Sequence, residues 1–104
     1  MSTLDPAERS ARGAALQAVV TGAAASAPQT PVEESWRDFV YAEVWSRPGL
    51  DRRARYLVAL AGAVLARAEP DLIRGYVRGA LKDGALSQGE LREAALPLSG
   101  YGGW

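Results

Sequence analysis

Helix-start signals recur along this chain and constrain its fold more than any other feature. Residues 30–33 and 87–90 read as capping boxes, in which two side chains satisfy the free N–H groups at the start of a helix. Asp51 is a suitable N-cap for a further helix. Pro48 and Gly49 end the helix before it, because proline disfavours helical geometry at the preceding residue and glycine permits a reversal. These signals predict several short helices separated by tight turns.

Apolar residues follow these signals at helical spacing, and no segment alternates convincingly as a strand does. We predict five helices, over residues 5–21, 30–46, 51–68, 70–83 and 87–96. Pro97 should bend or end the last of them. The predicted fold class is all-α, a small bundle of about five helices within one domain. We divide the chain into an N-terminal helix with a small-residue linker, residues 1–29, and a helical domain, residues 30–104.

The composition excludes several kinds of chemistry. Cysteine and histidine are absent, which excludes disulfides, thiol peroxidase chemistry, imidazole catalysis and the usual zinc sites. The 12 basic and 12 acidic residues balance, so nucleic acid is not an expected partner. No apolar run has the length of a membrane span, and the N-terminus does not resemble a signal peptide. We therefore expect a cytoplasmic protein that does not bind a membrane.

Charged and aromatic side chains concentrate around one turn, in residues 43–55. Helical spacing predicts that Glu43 lies on the apolar face of the second helix. The other residues predicted on that face are Trp36, Phe39, Val40 and Val44. A carboxylate there must pair with a cation or hold its proton, because an isolated buried charge is very costly. Arg47, one turn further on, is the nearest candidate partner. Glu43 is therefore either part of an ordinary ion pair at the rim or a carboxyl group poised in a pocket.

The third helix has two predicted faces. Its core stripe consists of Leu50, Leu57, Leu60, Ala61, Val64 and Leu65. The other face carries small groups, Ala59, Gly62 and Ala66, with Arg55 at its head. Small residues at this spacing allow another helix to approach closely. We expect either a subunit contact or a tight crossing within the chain at this face.

The fourth helix contains two glycines within its apolar pattern, Gly75 and Gly79. Each costs up to about 1 kcal/mol of helix propensity relative to alanine, which close packing against another helix would explain. Tyr76 lies in the apolar arc, and its phenol needs a partner if buried. A basic row on the same helix is expected to be a solvated face; it consists of Arg74, Arg78 and Lys82. The tail, residues 99–104, either cradles a ligand or forms a flexible end.

Residues 39–104 resemble the carboxymuconolactone decarboxylase family, which includes the alkylhydroperoxidase-D-like proteins. The matching motifs are Glu43-Val44-Trp45-Ser46-Arg47-Pro48-Gly49-Leu50-Asp51, Arg55 and residues 77–84, 90–93 and 101–103. The resemblance implies an alkylhydroperoxidase-D-like helical protomer that assembles into a homo-oligomer, a trimer or hexamer, with pockets near subunit interfaces. Family members usually continue past the last motif into a further helix, so we expect either that this chain has been shortened or that the helix is missing, and part of the usual pocket wall with it.

The resemblance also implies a function. Peroxidase members carry a Cys-x-x-Cys pair, so this sequence excludes that activity. Decarboxylase-like members carry a histidine where this chain has Tyr76. The implied function is an enzyme without metal or cofactor that acts on a small anionic carboxylate or lactone, by decarboxylation or isomerisation. The alternative is a non-catalytic helical assembly or ligand-binding module of the same fold.

In the enzymatic hypothesis, each motif residue has a role. Glu43 is the acid–base group, and Tyr76 donates a hydrogen bond to a developing enolate. Arg47, helped by Arg55, binds the substrate carboxylate in a bidentate manner. The complete set of predicted substrate-binding residues is Trp45, Arg47, Arg55 and Tyr101.

Overall fold

The computed structural model describes residues 5–102, and every regular element in that range is a helix. The helices are α1 (Pro6–Thr21), α2 (Pro31–Ser35) with its π-helical continuation (Trp36–Val44), α3 (Arg52–Leu65), α4 (Pro70–Lys82) and α5 (Gln88–Gly102). The all-α prediction is therefore confirmed. Within residues 5–102, no helix has the length and apolar character needed to cross a membrane.

The predicted helix starts are present as hydrogen bonds. Thr30 Oγ1 accepts the N–H of Glu33 at 3.1 Å, and Asp51 Oδ1 accepts the N–H three residues on at 2.8 Å. In the second capping box, the N–H of Glu90 bonds to Ser87 Oγ at 3.1 Å and the N–H of Ser87 bonds to Glu90 Oε1 at 2.9 Å. These local contacts satisfy N–H groups that would otherwise lack partners.

The second predicted helix is mostly π-helical, and this changes which side chains it buries. The N–H of Trp45 bonds to the carbonyl of Val40 at 3.0 Å, a spacing of five residues. The buried positions are consequently Tyr41, Ala42 and Trp45, while Phe39 is 58% exposed. The predicted apolar face was wrong for Phe39 and for Trp36, which is 38% exposed, because it assumed the α-helical period.

Helix α1 crosses both the π-helix and α4 at glycines. A Cβ added to Gly13 would lie 1.9 Å from the Arg37 carbonyl oxygen. One added to Gly79 would lie 1.7 Å from the Val20 carbonyl oxygen. The close packing predicted for Gly79 is thus confirmed, and its partner is α1. At Gly75 an added Cβ would meet Thr21 at 3.5 Å, an ordinary contact.

The C-terminal end of α1 is further held by two side chains of α4. Arg78 Nε donates to the Thr21 carbonyl at 2.7 Å, and Lys82 Nζ donates to the Gly22 carbonyl at 2.9 Å. Cations suit this position, because carbonyl groups without helical partners give a helix C-terminus a partial negative charge. The basic row was predicted to be a solvated face. It is exposed, and two of its members also anchor α1.

The core is aromatic and lies where α1, the π-helix, α3 and α4 meet. Its buried members are Val20, Tyr41, Trp45, Tyr56, Leu60, Tyr76, Ala80 and Leu86. The predicted core stripe on α3 was partly wrong, since Leu50, Val64 and Leu65 are exposed. The residues that α3 buries are Tyr56 and Leu60, which face α4 and the aromatic core.

Helix α5 continues to Gly102, beyond the predicted end at residue 96. Pro97 lies inside it and removes only one backbone N–H, while the turns on either side remain helical. None of the side chains of α5 is buried. The predicted tail therefore forms the last turn of a helix as far as Gly102; its residues 103 and 104 lie outside the described range.

Candidate functional site

Glu43 lies near the end of the π-helix and pairs with a cation from α1. Its side chain is 15% exposed, and Arg9 Nε lies 3.1 Å from Glu43 Oε1. Because the two residues are 34 positions apart, only the crossing of α1 over the π-helix brings them together. Sequence reasoning missed Arg9, since no motif or periodicity links it to Glu43.

The Glu43–Arg9 pair lies at the wall of an open cleft of about 490 Å³, which we call the Glu43 cleft. Its lining residues are Arg9, Pro31, Glu34, Ser35, Asp38, Phe39 and Glu43. Phe39 is the aromatic surface of this cleft. Its exposure, which the α-helical period did not predict, leaves an apolar ring available beside a carboxylate and a guanidinium.

A second carboxylate of the Glu43 cleft is engaged by its neighbours. Asp38 accepts hydrogen bonds from Arg37 Nε at 2.6 Å and Nη2 at 3.2 Å, and from Ser10 Oγ at 3.0 Å. The hydrogen bond from Arg37 is the main reason that the pKa of Asp38 lies below its ordinary value. Asp38 is therefore a structural carboxylate that ties α1 to the π-helix at neutral pH.

Tyr76 is buried in the aromatic core. Its ring stacks on Trp45 with centroids 6.2 Å apart, and its hydroxyl lies 3.5 Å from that of Tyr41. Burial raises the pKa of Tyr76, so the phenol stays protonated at neutral pH. It can donate a hydrogen bond but cannot serve as a base there.

Tyr41, whose hydroxyl lies beside that of Tyr76, also lines a second open cleft of about 450 Å³. This cleft lies beside the linker that follows α1. Trp36 and Arg78 also line that cleft. Tyr41 is a further residue that sequence reasoning did not single out. Its spacing of five residues from Trp36, whose ring lies 6.0 Å away, is a signal that a π-helical period would have revealed.

The remaining predicted site residues lie in three places: a turn, the core and the surface of α5. Arg55 Nη2 donates to the Arg47 carbonyl at 2.9 Å, so these two residues meet at the turn between the π-helix and α3. The Nε of Arg55 is buried, and no residue in the range 5–102 accepts a hydrogen bond from it. Trp45 belongs to the aromatic core, and Tyr101 is 88% exposed on α5.

The structure thus brings the predicted residues together in pairs, Trp45 with Tyr76 and Arg47 with Arg55. Glu43 faces its own cleft with Arg9, and no other predicted site residue is among the described residues that line it. Within residues 5–102, no group of three or more His, Cys, Asp or Glu side chains is arranged so that it could hold a metal ion.

Comparisons with known proteins identify the same family that the sequence motifs resemble. The profile of the carboxymuconolactone decarboxylase family matches residues 30–104. A 4-carboxymuconolactone decarboxylase of Acinetobacter baylyi is 42% identical over 65 residues, which cover 62% of this chain and 47% of the relative. The match therefore spans about half the length of that relative. No solved structure matches the chain. Because the family profile covers well over half of the sequence, the chain belongs to the carboxymuconolactone decarboxylase family.

Proposed function

We propose that the protein is a decarboxylase-like enzyme that acts by acid–base chemistry on a small carboxylate or lactone. The observation that carries this proposal is the half-buried Glu43 carboxyl group, held beside Arg9 at the wall of an open cleft. The name of the Acinetobacter relative supports decarboxylation of a carboxylated lactone as the reaction class.

The proposed step needs one proton source and one means of stabilising negative charge. The bond between the substrate and its carboxylate breaks, CO₂ leaves, and the electron pair passes into the conjugated lactone as an enolate. Glu43, as the acid–base group, then relays a proton from water to that carbon. A polar donor near the enolate oxygen lowers the energy of the charge that develops there.

Tyr76 is the proposed donor to the enolate, since its phenol is protonated at neutral pH. It lies in the aromatic core rather than at the Glu43 cleft, so this role requires the substrate or the core to move. Arg47 and Arg55 remain the proposed carboxylate ligands at the turn after the π-helix.

The proposed roles of the other predicted binding residues depend on the assembly of the protein into an oligomer. Tyr101 is 88% exposed in the single chain. We propose that the protein forms a homo-oligomer, a trimer or a hexamer, in which Tyr101 and Trp45 help to line a pocket completed by a second subunit.

The proposal is tested with 4-carboxymuconolactone as substrate and released CO₂ as the readout. We expect Glu43→Gln to lower kcat by about 100-fold or more, the scale typical of a lost acid–base group. Its melting temperature should stay near that of the wild type, because partly exposed ion pairs contribute about 1 kcal/mol or less. Tyr76→Phe should lower kcat if the phenol acts as donor.

The matched control is Glu93→Gln, which removes the same charge from an exposed position on α5. It should leave kcat unchanged. Wild-type turnover that survives Glu43→Gln would contradict the assigned role, and absence of wild-type turnover would contradict the enzymatic proposal.

A non-catalytic ligand-binding or helical assembly role is the second candidate. It is favoured by Tyr76, which is nearly fully buried and can hardly meet a substrate without rearrangement. In that case no variant changes a turnover rate, and ligand binding alone distinguishes the wild type from its variants.

A further inference from the structure

We infer that the cleft beside the linker after α1 is a binding site for a small planar carboxylate, which Arg78 holds by its charge and Trp36 covers with its indole ring. We call it the linker cleft, and its volume of about 450 Å³ suits a small molecule. No described residue lines both this cleft and the Glu43 cleft. Binding here needs no turnover, so the site goes beyond the proposed function.

Arg78 supplies the positive charge of the linker cleft. Its Nε donates to the carbonyl of Thr21 at 2.7 Å, and Thr21 lines the same cleft. In the described part of the chain, no carboxylate pairs with Arg78, and its Nη1 and Nη2 have no acceptor. The guanidinium is therefore held by a neutral group, and its charge is not compensated. Its two terminal nitrogens form a fork that can bind a carboxylate through two parallel hydrogen bonds.

The acidic side chain of the linker cleft is already engaged. Glu33 is the acidic residue among the described residues of the lining. Its Oε2 accepts the N–H of Gln29 at 2.8 Å and the hydroxyl of Thr30 at 3.2 Å, within the capping box. Glu33 is exposed, so water and salt weaken its repulsion of a bound anion. Of the two charges, only that of Arg78 is available to a ligand.

Two aromatic rings form the apolar part of the linker cleft. Trp36 is 38% exposed, whereas Tyr41 is 2% exposed and continues the lining toward the core. Their ring centroids lie 6.0 Å apart with the planes tilted by 39°. The exposed indole offers a flat surface on which an aromatic or unsaturated ring can stack.

The polar group that completes the linker cleft is the side chain of Gln17. It is half-buried, and among residues 5–102 its amide has no hydrogen-bond partner. The amide can donate to a ligand oxygen beside Arg78. An inorganic anion would occupy the fork but leave the ring of Trp36 uncovered. The lining therefore favours a carboxylate carried on a planar body.

The ligand class is tested by calorimetry of the full chain at neutral pH, with benzoate as the probe. Benzamide has the same ring without the charge, and we expect it to bind about 10-fold or more weakly. Cyclohexanecarboxylate has the charge without the flat ring, and we expect it to bind about 3-fold or more weakly. Equal affinities for the three compounds, or no binding of benzoate, would overturn the inference.

The place of binding is tested with two pairs of variants. Arg78→Met should raise the dissociation constant of benzoate by about 10- to 100-fold. Its control, Arg74→Met, removes the same charge one turn away, from a side chain that pairs with Asp71, and should bind as the wild type does. Ala25→Leu fills the cleft from the linker and should weaken binding by about 10-fold or more. Its control, Ala27→Leu, is exposed outside the described lining and should have no effect.

The Ala25 pair matters because Arg78→Met also removes an anchor of α1. Thermal melts identify a variant that fails to fold, and Ala25→Leu decides if Arg78→Met is one. Unchanged binding in both site variants, or an equal loss in their controls, overturns the inference. Turnover of 4-carboxymuconolactone is assayed separately. If benzoate binding depends on Arg78 and Ala25 but no turnover occurs, the proposed function fails and the inference stands.

Discussion

At the scale of single residues, Glu90 joins α5 to the rest of the molecule. It accepts the N–H of Ser87 at the start of α5 and forms an ion pair with Arg53 of α3. The hydrogen bond from Arg53, followed by that from Ser87, lowers the pKa of Glu90 from 4.5 to about 2. This polar contact links α3 to α5, in addition to the packing of the partly buried Leu91 of α5 against the core.

The lowered pKa of Glu90 predicts how the free energy of unfolding depends on pH. With a pKa lowered on folding, the unfolded chain takes up the proton first, so the contribution of Glu90 is present above pH 4.5 and is lost as the pH falls toward about 2. Glu90→Gln should flatten the decline in the free energy of unfolding across this range, measured by urea denaturation. Glu93→Gln, one turn further along α5, is the control and should follow the wild-type curve. Parallel curves for Glu90→Gln and the wild type would show that the contact contributes nothing.

At the scale of helices, the position of α1 depends on two glycine crossings. Gly13 meets the π-helix and Gly79 meets the end of α1 at Val20, where an added Cβ would collide with backbone oxygens. Backbone atoms cannot rotate away as a side chain can, so a larger residue forces the helices apart. The Arg9–Glu43 pair lies on the same helix contact and depends on it.

The crossing of α1 over α4 predicts different effects on stability for substitutions at two glycines of α4. Gly79→Ala should destabilise the protein by about 1–3 kcal/mol or more, through overpacking against α1. Gly75→Ala meets Thr21 only at van der Waals distance, so it should be neutral or stabilising by up to about 1 kcal/mol from helix propensity. Urea denaturation of both variants measures the difference. Equal effects at the two positions would mean that α1 does not cross α4 as described.

At the scale of the whole molecule, the single chain leaves much apolar surface open. Its radius of gyration is 14.1 Å, whereas a compact domain of this length has a value of about 13 Å. The exposed apolar side chains of α3 and α5 are Val58, Val64, Leu65, Leu96 and Tyr101. Gly62 on α3 has no neighbour within 4 Å of an added Cβ, so no described residue crosses closely at that position of the face, while Ala59 packs against the core. A subunit contact remains our proposal for it.

The proposed oligomer gives a direct test. Val58 is 65% exposed on α3, and Val32 is 68% exposed at the start of α2. Val58→Glu should dissociate the oligomer into folded monomers, because a charge would be buried in the contact without a partner. Val32→Glu, the control, should keep the wild-type mass. Light scattering coupled to size-exclusion chromatography measures both, and a monomeric wild type would contradict the proposal.

The sequence by itself determined the helix starts, the all-α class and the family, because capping boxes and motifs depend on residues close together in the chain. It also indicated the close packing at Gly79, whereas the role of Glu43 stays a prediction. It did not reveal the face of the π-helix, since its five-residue hydrogen bonding shifts Phe39 out and Tyr41 in. Only the tertiary structure decided that Arg9 meets Glu43 and that α1 anchors on α4, because these contacts join residues 34 or more positions apart, and their geometry follows from helix packing rather than from local preference.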